Sequence, residues 1–418
     1  MKIKLAKHRI SIQDTIIIIS LILAFAQATL RITDDGNSVL FRLFLPIVII
    51  TIATRNIRLF IQPILFVLAF SAYNIFVSLA FYNGIIDLTY YIHVVILALL
   101  YLHVKYLKEY YQNFNIQFYT FLDKVTIAII ILGWLQFFLR FEFPHIQSLR
   151  PYEISLFFWN GNELSAAISC VAVVYVFRFF ARKDRPALIK AIIIAVMTYV
   201  NDAKLSLLGI ITGVIVLFGF YLSTKLSRSS AGKKIALWFF VTLLILVLYL
   251  FITSGVNLHF RDYNLSIMDL IGRSIESIFK LETYGTVGSI NVRTTAIVYG
   301  LRELIRTKFF GFGWGNSVTL ITSYSLHQEK SMHNIIFQLL CECGYFAIIC
   351  YMFIIKKLVY NSKKEYGGDL YQLQIAFAFS FIFISSQSSI GILSNYMLWT
   401  VVYYIALLDD LNPKEIIV

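Results

Sequence analysis

The chain has 418 residues, 59% of them hydrophobic and 14% charged, with a mean hydropathy of +0.76. Soluble domains are about 45–50% apolar and about 25% charged, so this composition excludes an ordinary soluble protein. The formal net charge of +13 then reads as cationic cytoplasmic loops, not as a nucleic-acid surface.

Taken in order, the apolar residues fall into runs of the length that crosses a bilayer as helix. They predict about twelve spans, near 15–31, 38–54, 59–81, 86–103, 125–141, 162–180, 186–200, 205–222, 235–254, 334–355, 371–388 and 395–408. The expected fold is an all-α polytopic membrane protein, because backbone groups in lipid must be satisfied within each segment. The alternating pattern of a membrane barrel is absent. The first run follows a basic start, Lys2 to Arg9. Ala24 to Ala28 has the small-residue look of a cleavage site, but the second apolar run follows so closely that an uncleaved first helix is expected.

Lysine and arginine set the orientation. With the N-terminus inside, the cytoplasmic segments carry clusters such as Arg55 with Arg58, Arg182 to Arg185, Lys233 with Lys234, and Lys356 with Lys357. The short outer loops carry only Arg31, Arg150 and Lys204, with Arg140 at a helix end. Both termini are expected in the cytoplasm. Lys105 to Lys124, rich in Tyr and Phe, reads as an interfacial segment. The four cysteines, Cys170, Cys341, Cys343 and Cys350, all lie in apolar runs and read as buried free thiols. No metal cluster accompanies Cys341 and Cys343.

One connection differs from the others. Residues 255–332 form a large extracytoplasmic loop within what reads as a single membrane domain, 1–418. Long loops without function are uncommon. Ile267, Ile271, Ile275 and Ile278 recur at helical spacing among charged residues, which predicts an amphipathic helix on the membrane face. A second helix is predicted over about 292–307. It precedes Phe309-Phe310 and a glycine-rich turn, Gly311-Phe312-Gly313-Trp314-Gly315, whose glycines permit unusual backbone angles.

The polar residues that chemistry requires gather at the predicted outer ends. His333 stands beside Asn334 where this loop enters span ten. An isolated histidine there is commonly a cap or interfacial residue, but one so placed can also take a proton near neutral pH. Glu342 lies nine residues on. On a regular helix it points nearly opposite His333 and lies about 13 Å deeper, so the two form no simple acid–base pair. Buried carboxylates in membranes are usually paired, and Arg42, near the outer end of span two, is the candidate partner. Arg293, Arg302 and Arg306 lie on the second loop helix; arginine suits a diphosphate because it donates in a fork. Lys204 follows Asn201-Asp202 in a tight turn and reads either as a phosphate contact or as a cation reaching the surface beside Asp202. Asn160-Gly161-Asn162-Glu163 opens span six. Asn162 and Glu163 offer groups for sugar hydroxyls, and the same stretch reads equally as a helix cap.

The His333-Asn334 pair at the mouth of a membrane helix, with Glu342 nine residues on and Gly344 eleven on, resembles the signature of the O-antigen polymerase and O-antigen ligase superfamily. So do the glycine-rich turn and an arginine upstream of it. The superfamily often has Ser-Arg where this chain has Ala203-Lys204, so a lysine replaces the arginine at that turn. The resemblance implies a GT-C-like polytopic glycosyltransferase that inverts the anomeric centre without metal or cofactor. It implies His333 and Arg293 as catalytic residues. It implies an undecaprenyl-diphosphate-linked oligosaccharide donor, contacted by Lys204, Asn334 and their neighbours. Expected partners are that lipid-linked substrate, the bilayer, a chain-length regulator and a flippase, with no nucleic acid. The expected setting is the cytoplasmic (inner) membrane with catalysis at its outer face. A polymerase of repeat units is favoured. The alternatives are the ligase, which uses a lipid A–core acceptor, and a transporter of lipid-linked sugars. A transporter would place its polar residues at the bilayer midplane, whereas here they gather outside.

Overall fold

The computed structural model describes residues 12–25, 39–82, 88–110, 114–141, 153–227, 257–260, 263–266, 288–317, 332–362, 368–386 and 389–408. Within these the fold is a helical membrane bundle. In chain order the first eight helices are α1 (Ile12–Phe25), α2 (Val39–Asn56), α3 (Ile61–Phe81), α4 (Leu88–Tyr110), α5 (Phe114–Leu139), α6 (Gly161–Arg182), α7 (Arg185–Val200) and α8 (Lys204–Ser227). After the hairpin β1 (Asn257–Phe260) and β2 (Tyr263–Ser266) come α9 (Gly288–Arg306), α10 (Ile335–Ser362), α11 (Gly368–Ile384), α12 (Ser389–Ser394) and α13 (Tyr396–Leu407). Among the described residues six stretches are long and apolar enough to cross a membrane; the longest of these, Phe41–Phe81, runs through both α2 and α3. Three shorter helices, α1, α11 and α13, are apolar as well.

Helix α6 forms the centre. Its residues from Leu164 to Phe177 are all buried, and α7, α8, α11 and α13 pack around it. Small side chains at Ser165, Ala166, Ala167, Ser169 and Cys170 let these helices approach closely. On α8, Gly209 and Gly213 sit against Ile384 and Ser380 of α11, where a methyl group would collide. By contrast α2, α3, α5 and α8 display exposed Leu43, Ile50, Leu65, Leu68, Ile131 and Ile215. Such apolar outward faces are stable where lipid tails are the solvent.

Side-chain bonds define the two ends of the bundle. At one end Arg55 donates to Tyr106 (2.6 Å) and meets Asp14 (3.3 Å), while Lys190 and Tyr175 both donate to Asp123 (2.5 and 2.7 Å). Lys357 there caps the carbonyl of Ala406 (2.6 Å). The opposite end carries His333, and the bonds described below link its loops.

Eleven of the expected spans coincide with described helices; the ninth, 235–254, lies outside the described residues, as does the amphipathic segment of Ile267 to Ile278. The second loop helix forms, as α9. Elsewhere the structure differs from expectation. The loop contains a two-stranded antiparallel hairpin, Phe260 opposite Tyr263, where apolar and polar residues alternate and aromatics favour strand. The stretch Lys105 to Lys124 is not a separate interfacial segment: α4 continues to Tyr110 and α5 begins at Phe114. The last two spans are separated by a short extra helix, α12. Finally, α10 is broken at Gly344 (φ 45°, ψ −121°), although its apolar run is uninterrupted in sequence.

Candidate active site

The glycine-rich turn and the break in α10 are built for each other. Gly311, Gly313 and Gly315 have φ of 87°, 90° and 88°, the left-handed region that glycine enters without steric cost. At Gly311 a side chain would strike the Glu342 carbonyl; at Gly344 one would strike the Phe309 carbonyl. The close approach is then bonded. The Gly313 amide donates to the Glu342 carbonyl (2.9 Å) and the Tyr345 amide to the Phe309 carbonyl (2.9 Å). The break at Gly344 thus frees backbone groups that the turn satisfies, as membrane burial demands.

The Glu342 side chain completes the latch. It is fully buried. Its carboxylate accepts from the amides of Gly315 and Ser317 (both 2.9 Å) and from Gln338 Nε2 (3.1 Å). Trp314, 1% exposed, is wedged edge-on between Phe70 (5.4 Å) and Tyr90 (5.8 Å), which seats the turn on α3 and α4. The expected Arg42–Glu342 pair does not form. Arg42 lies instead beside Tyr396 at the start of α13. Glu342 therefore answers to neutral donors, and its oxygens face the turn.

His333 and Asn334 divide their work. Asn334 is 6% exposed and caps α10: its Oδ1 accepts from the amides of Ile336 and Phe337 (3.0 and 3.1 Å). Its Nδ2 donates to the Ile382 carbonyl in the last turn of α11 (3.3 Å) and to Ser386 Oγ just beyond it (2.6 Å). His333 precedes this anchored cap with φ 52°, a left-handed angle uncommon outside glycine. It is only half-buried. The backbone is thus turned out of the helix at the histidine, so the regular-helix relation between His333 and Glu342 does not apply.

A second knot of loops occupies the same end. Asn201, 2% exposed, donates to the carbonyls of Ile154 (2.9 Å) and Gly161 (3.0 Å) and to Ser165 Oγ (3.1 Å). It accepts from the Ile154 amide (2.8 Å). Asn160 caps α6 by accepting from the Glu163 amide (3.0 Å), and Glu153 accepts from the Gly161 amide (2.7 Å). Glu163 is 5% exposed; its carbonyl accepts from Asn395 Nδ2 (2.8 Å), and Gly391 packs against its carboxylate. Asn162 is half-buried in the first turn of α6. Lys204, half-exposed, opens α8 with Asp202 3.4 Å away. Asn201 thereby ties the turn that precedes Lys204 to the first turns of α6, which carry Asn162 and Glu163, and Asn395 joins Glu163 to the α12–α13 break.

The loop arginines are placed unequally. Arg306 donates to Glu303 (2.7 Å) and to the Tyr82 hydroxyl (2.8 Å), and Tyr82 donates to Glu303 (2.5 Å). Burial and then the Glu303 bond push the Tyr82 phenol up, so it stays a neutral donor. This triad ties α9 to the end of α3. Arg302 is exposed and stands over the Tyr299 ring, 5.9 Å from its centre. Arg293 lies in the second turn of α9; its side chain is outside the described residues. Among the described residues no His, Cys, Asp and Glu group has metal-binding geometry.

Ser386, Asn395, Glu153 and the Tyr82–Glu303 pair are absent from the sequence-derived set. The serine-rich interruption Ser385-Ser386-Gln387-Ser388-Ser389 and Asn395 are visible signals of a broken helix; polar breaks inside apolar runs mark cavity-lining backbone.

The described helices form a multi-pass membrane bundle whose polar loops converge at one end, near His333. Residues 189–352 match the O-antigen ligase family, a stretch that holds Lys204, α9, the glycine-rich turn, His333 and Glu342. No curated protein matches the chain. Over that stretch, less than half of its length, the chain is similar to the O-antigen ligase family.

Proposed function

We propose that this protein is the polymerase of lipid-linked repeat units, working at the outer face of the cytoplasmic membrane with both termini inside. The observation that carries the reading is the seat of His333: a half-buried histidine on a left-handed residue, fixed by the Asn334 cap that follows it. The donor is a glycan on a polyprenyl diphosphate; the acceptor is the non-reducing-end hydroxyl of a second lipid-linked repeat. The acceptor oxygen bonds to the anomeric carbon as the bond from that carbon to the diphosphate oxygen breaks. His333 takes the hydroxyl proton, and the diphosphate leaves with the electron pair. Direct displacement inverts the anomeric centre.

Arg293 and Lys204 neutralise the charge that develops on the leaving diphosphate, the kind of electrostatic help worth most in a site shielded from water. Lysine meets it as a point charge, arginine as a fork. Asn162 and Glu163 lie at the same bundle end for sugar hydroxyls. On this reading a chain-length regulator and a flippase are the natural partners. The family's own description favours a second reading, ligase activity on a lipid A–core acceptor. Purified protein with a lipid-linked repeat unit decides. A ladder of products on a gel supports the polymerase, a single addition to added lipid A–core supports the ligase, and no glycosidic bond with either acceptor overturns both.

A further inference from the structure

Arg42 is a cation that the site so far leaves unused. It sits in the first turn of α2, at the His333 end of the bundle, and is half-buried. Its Nε is buried with no acceptor among the described residues, and no carboxylate among them pairs with it. A cation in such surroundings is costly unless something compensates it, and a functional partner is the default expectation. Its neighbour is Tyr396, the first residue of α13, which is 2% exposed and whose hydroxyl faces Arg42 with no other partner among the described residues. Phe41 packs on the Tyr396 ring, 5.2 Å between centres, and fixes the pair.

An arginine with an unspent Nε–H beside a phenol whose own O–H has no acceptor among the described residues makes a place for an oxyanion. The place is joined to the rest of the site: Tyr396 follows Asn395, which caps α13 by accepting from the Leu398 amide (3.1 Å) and donates to Glu163. It is also separate from the latch, since Glu342 is bonded elsewhere.

We propose that Arg42 and Tyr396 hold a phosphate of the lipid-linked acceptor. The inference rests on the polymerase reading. In that reaction both substrates carry a lipid diphosphate, but only the donor's leaves. The acceptor's diphosphate is retained, so it needs an anchor distinct from the cations that stabilise the leaving group. An arginine fork backed by a phenol hydroxyl suits a phosphate ester that must be bound and not expelled.

The test is a binding stoichiometry. Purified protein in nanodiscs of neutral phosphatidylcholine is titrated with undecaprenyl diphosphate, and bound equivalents are read by native mass spectrometry. The wild type takes two equivalents. Arg42→Gln keeps one and binds the other on the order of a hundredfold more weakly, the scale of losing one partner of a buried charged contact. Tyr396→Phe, which removes one hydroxyl, weakens the same equivalent roughly tenfold or more. Should Arg42→Gln fail to fold, as judged by thermal unfolding, Tyr396→Phe decides alone. Two unweakened equivalents in folded variants, or a single equivalent in the wild type, overturns the acceptor site. Displacement of the second equivalent by an equimolar amount of phosphatidylglycerol assigns the pair to bulk headgroups and overturns it too. No binding by the wild type defeats the polymerase reading itself, a failure of a different kind.

Discussion

Glu342→Gln tests whether the carboxylate is a structural latch or a substrate contact. The wild-type side chain meets three donors, the amides of Gly315 and Ser317 and the side chain of Gln338, and it is fully buried. A carboxamide has one oxygen to offer. At least one of these donors is then left facing an NH2 group, in a place no water reaches. An unsatisfied buried group costs about 1–3 kcal/mol, so Glu342→Gln should destabilise by about 1–4 kcal/mol, and Glu342→Ala, which strands all three, by about 3–6 kcal/mol. The loss falls on the glycine-rich turn, whose amides Glu342 holds. The assay pairs thermal unfolding of purified protein with polymer yield and with donor binding. Melting temperature and yield should drop together, while donor affinity in the folded fraction stays within about threefold, a difference of under 1 kcal/mol. Normal stability with donor affinity down tenfold or more would falsify the latch and return Glu342 to the substrate-contacting residues.

The other expectations are shorter. His333→Ala should leave a folded, inserted protein with polymer down about 10²–10⁴-fold and donor binding intact; normal polymer at equal protein level defeats the catalytic assignment. Arg293→Ala should abolish polymer and Arg293→Lys restore little, because the fork is lost, whereas Arg306→Ala should act mainly through stability, since Arg306 is bonded to Glu303 and Tyr82; the opposite ranking means the wrong arginine is assigned. Asn201→Ala should destabilise by about 2–4 kcal/mol, read as a lower melting temperature, because one buried amide and two buried carbonyls lose their partner together. Cysteine labels in 255–332 should react from outside intact cells and labels in 225–234 should not; the reverse pattern removes the basis for an outward-facing site.

The spans were legible because a bilayer imposes a length and an apolar composition on each helix, and α6, α8 and α10 meet both. The seat of His333 was legible in part. The His333-Asn334 pair and the glycines stand out by residue type, but the sequence does not show that Asn334 spends its amide on Ser386, 52 residues away. The break at Gly344 was hidden because apolar residues run unbroken on both sides, and hydropathy is blind to a single left-handed residue. Arg42 was paired with Glu342 by a sound rule applied to the wrong neighbours: charges in membranes seek partners, but Glu342 found three neutral donors within reach of the turn. Such long-range pairings are fixed by how loops dock, which no local pattern encodes.

The signature that draws attention in the sequence therefore carries two kinds of residue. Asn334, Glu342 and Gly344 face inward and spend their bonding capacity on the protein: one caps α10, one holds the turn, one breaks the helix so that the turn can close. His333 alone among them is half-exposed and is held at a left-handed angle. Strain of that kind persists only where neighbours over-determine it, and the Asn334 cap immediately after His333 supplies that determination. Rigid placement is what a base needs to meet a hydroxyl within hydrogen-bond reach. On the proposed reading, the nine-residue spacing separates the histidine that would take the proton from a carboxylate that holds the glycine-rich turn, and the carboxylate need not approach the sugar at all.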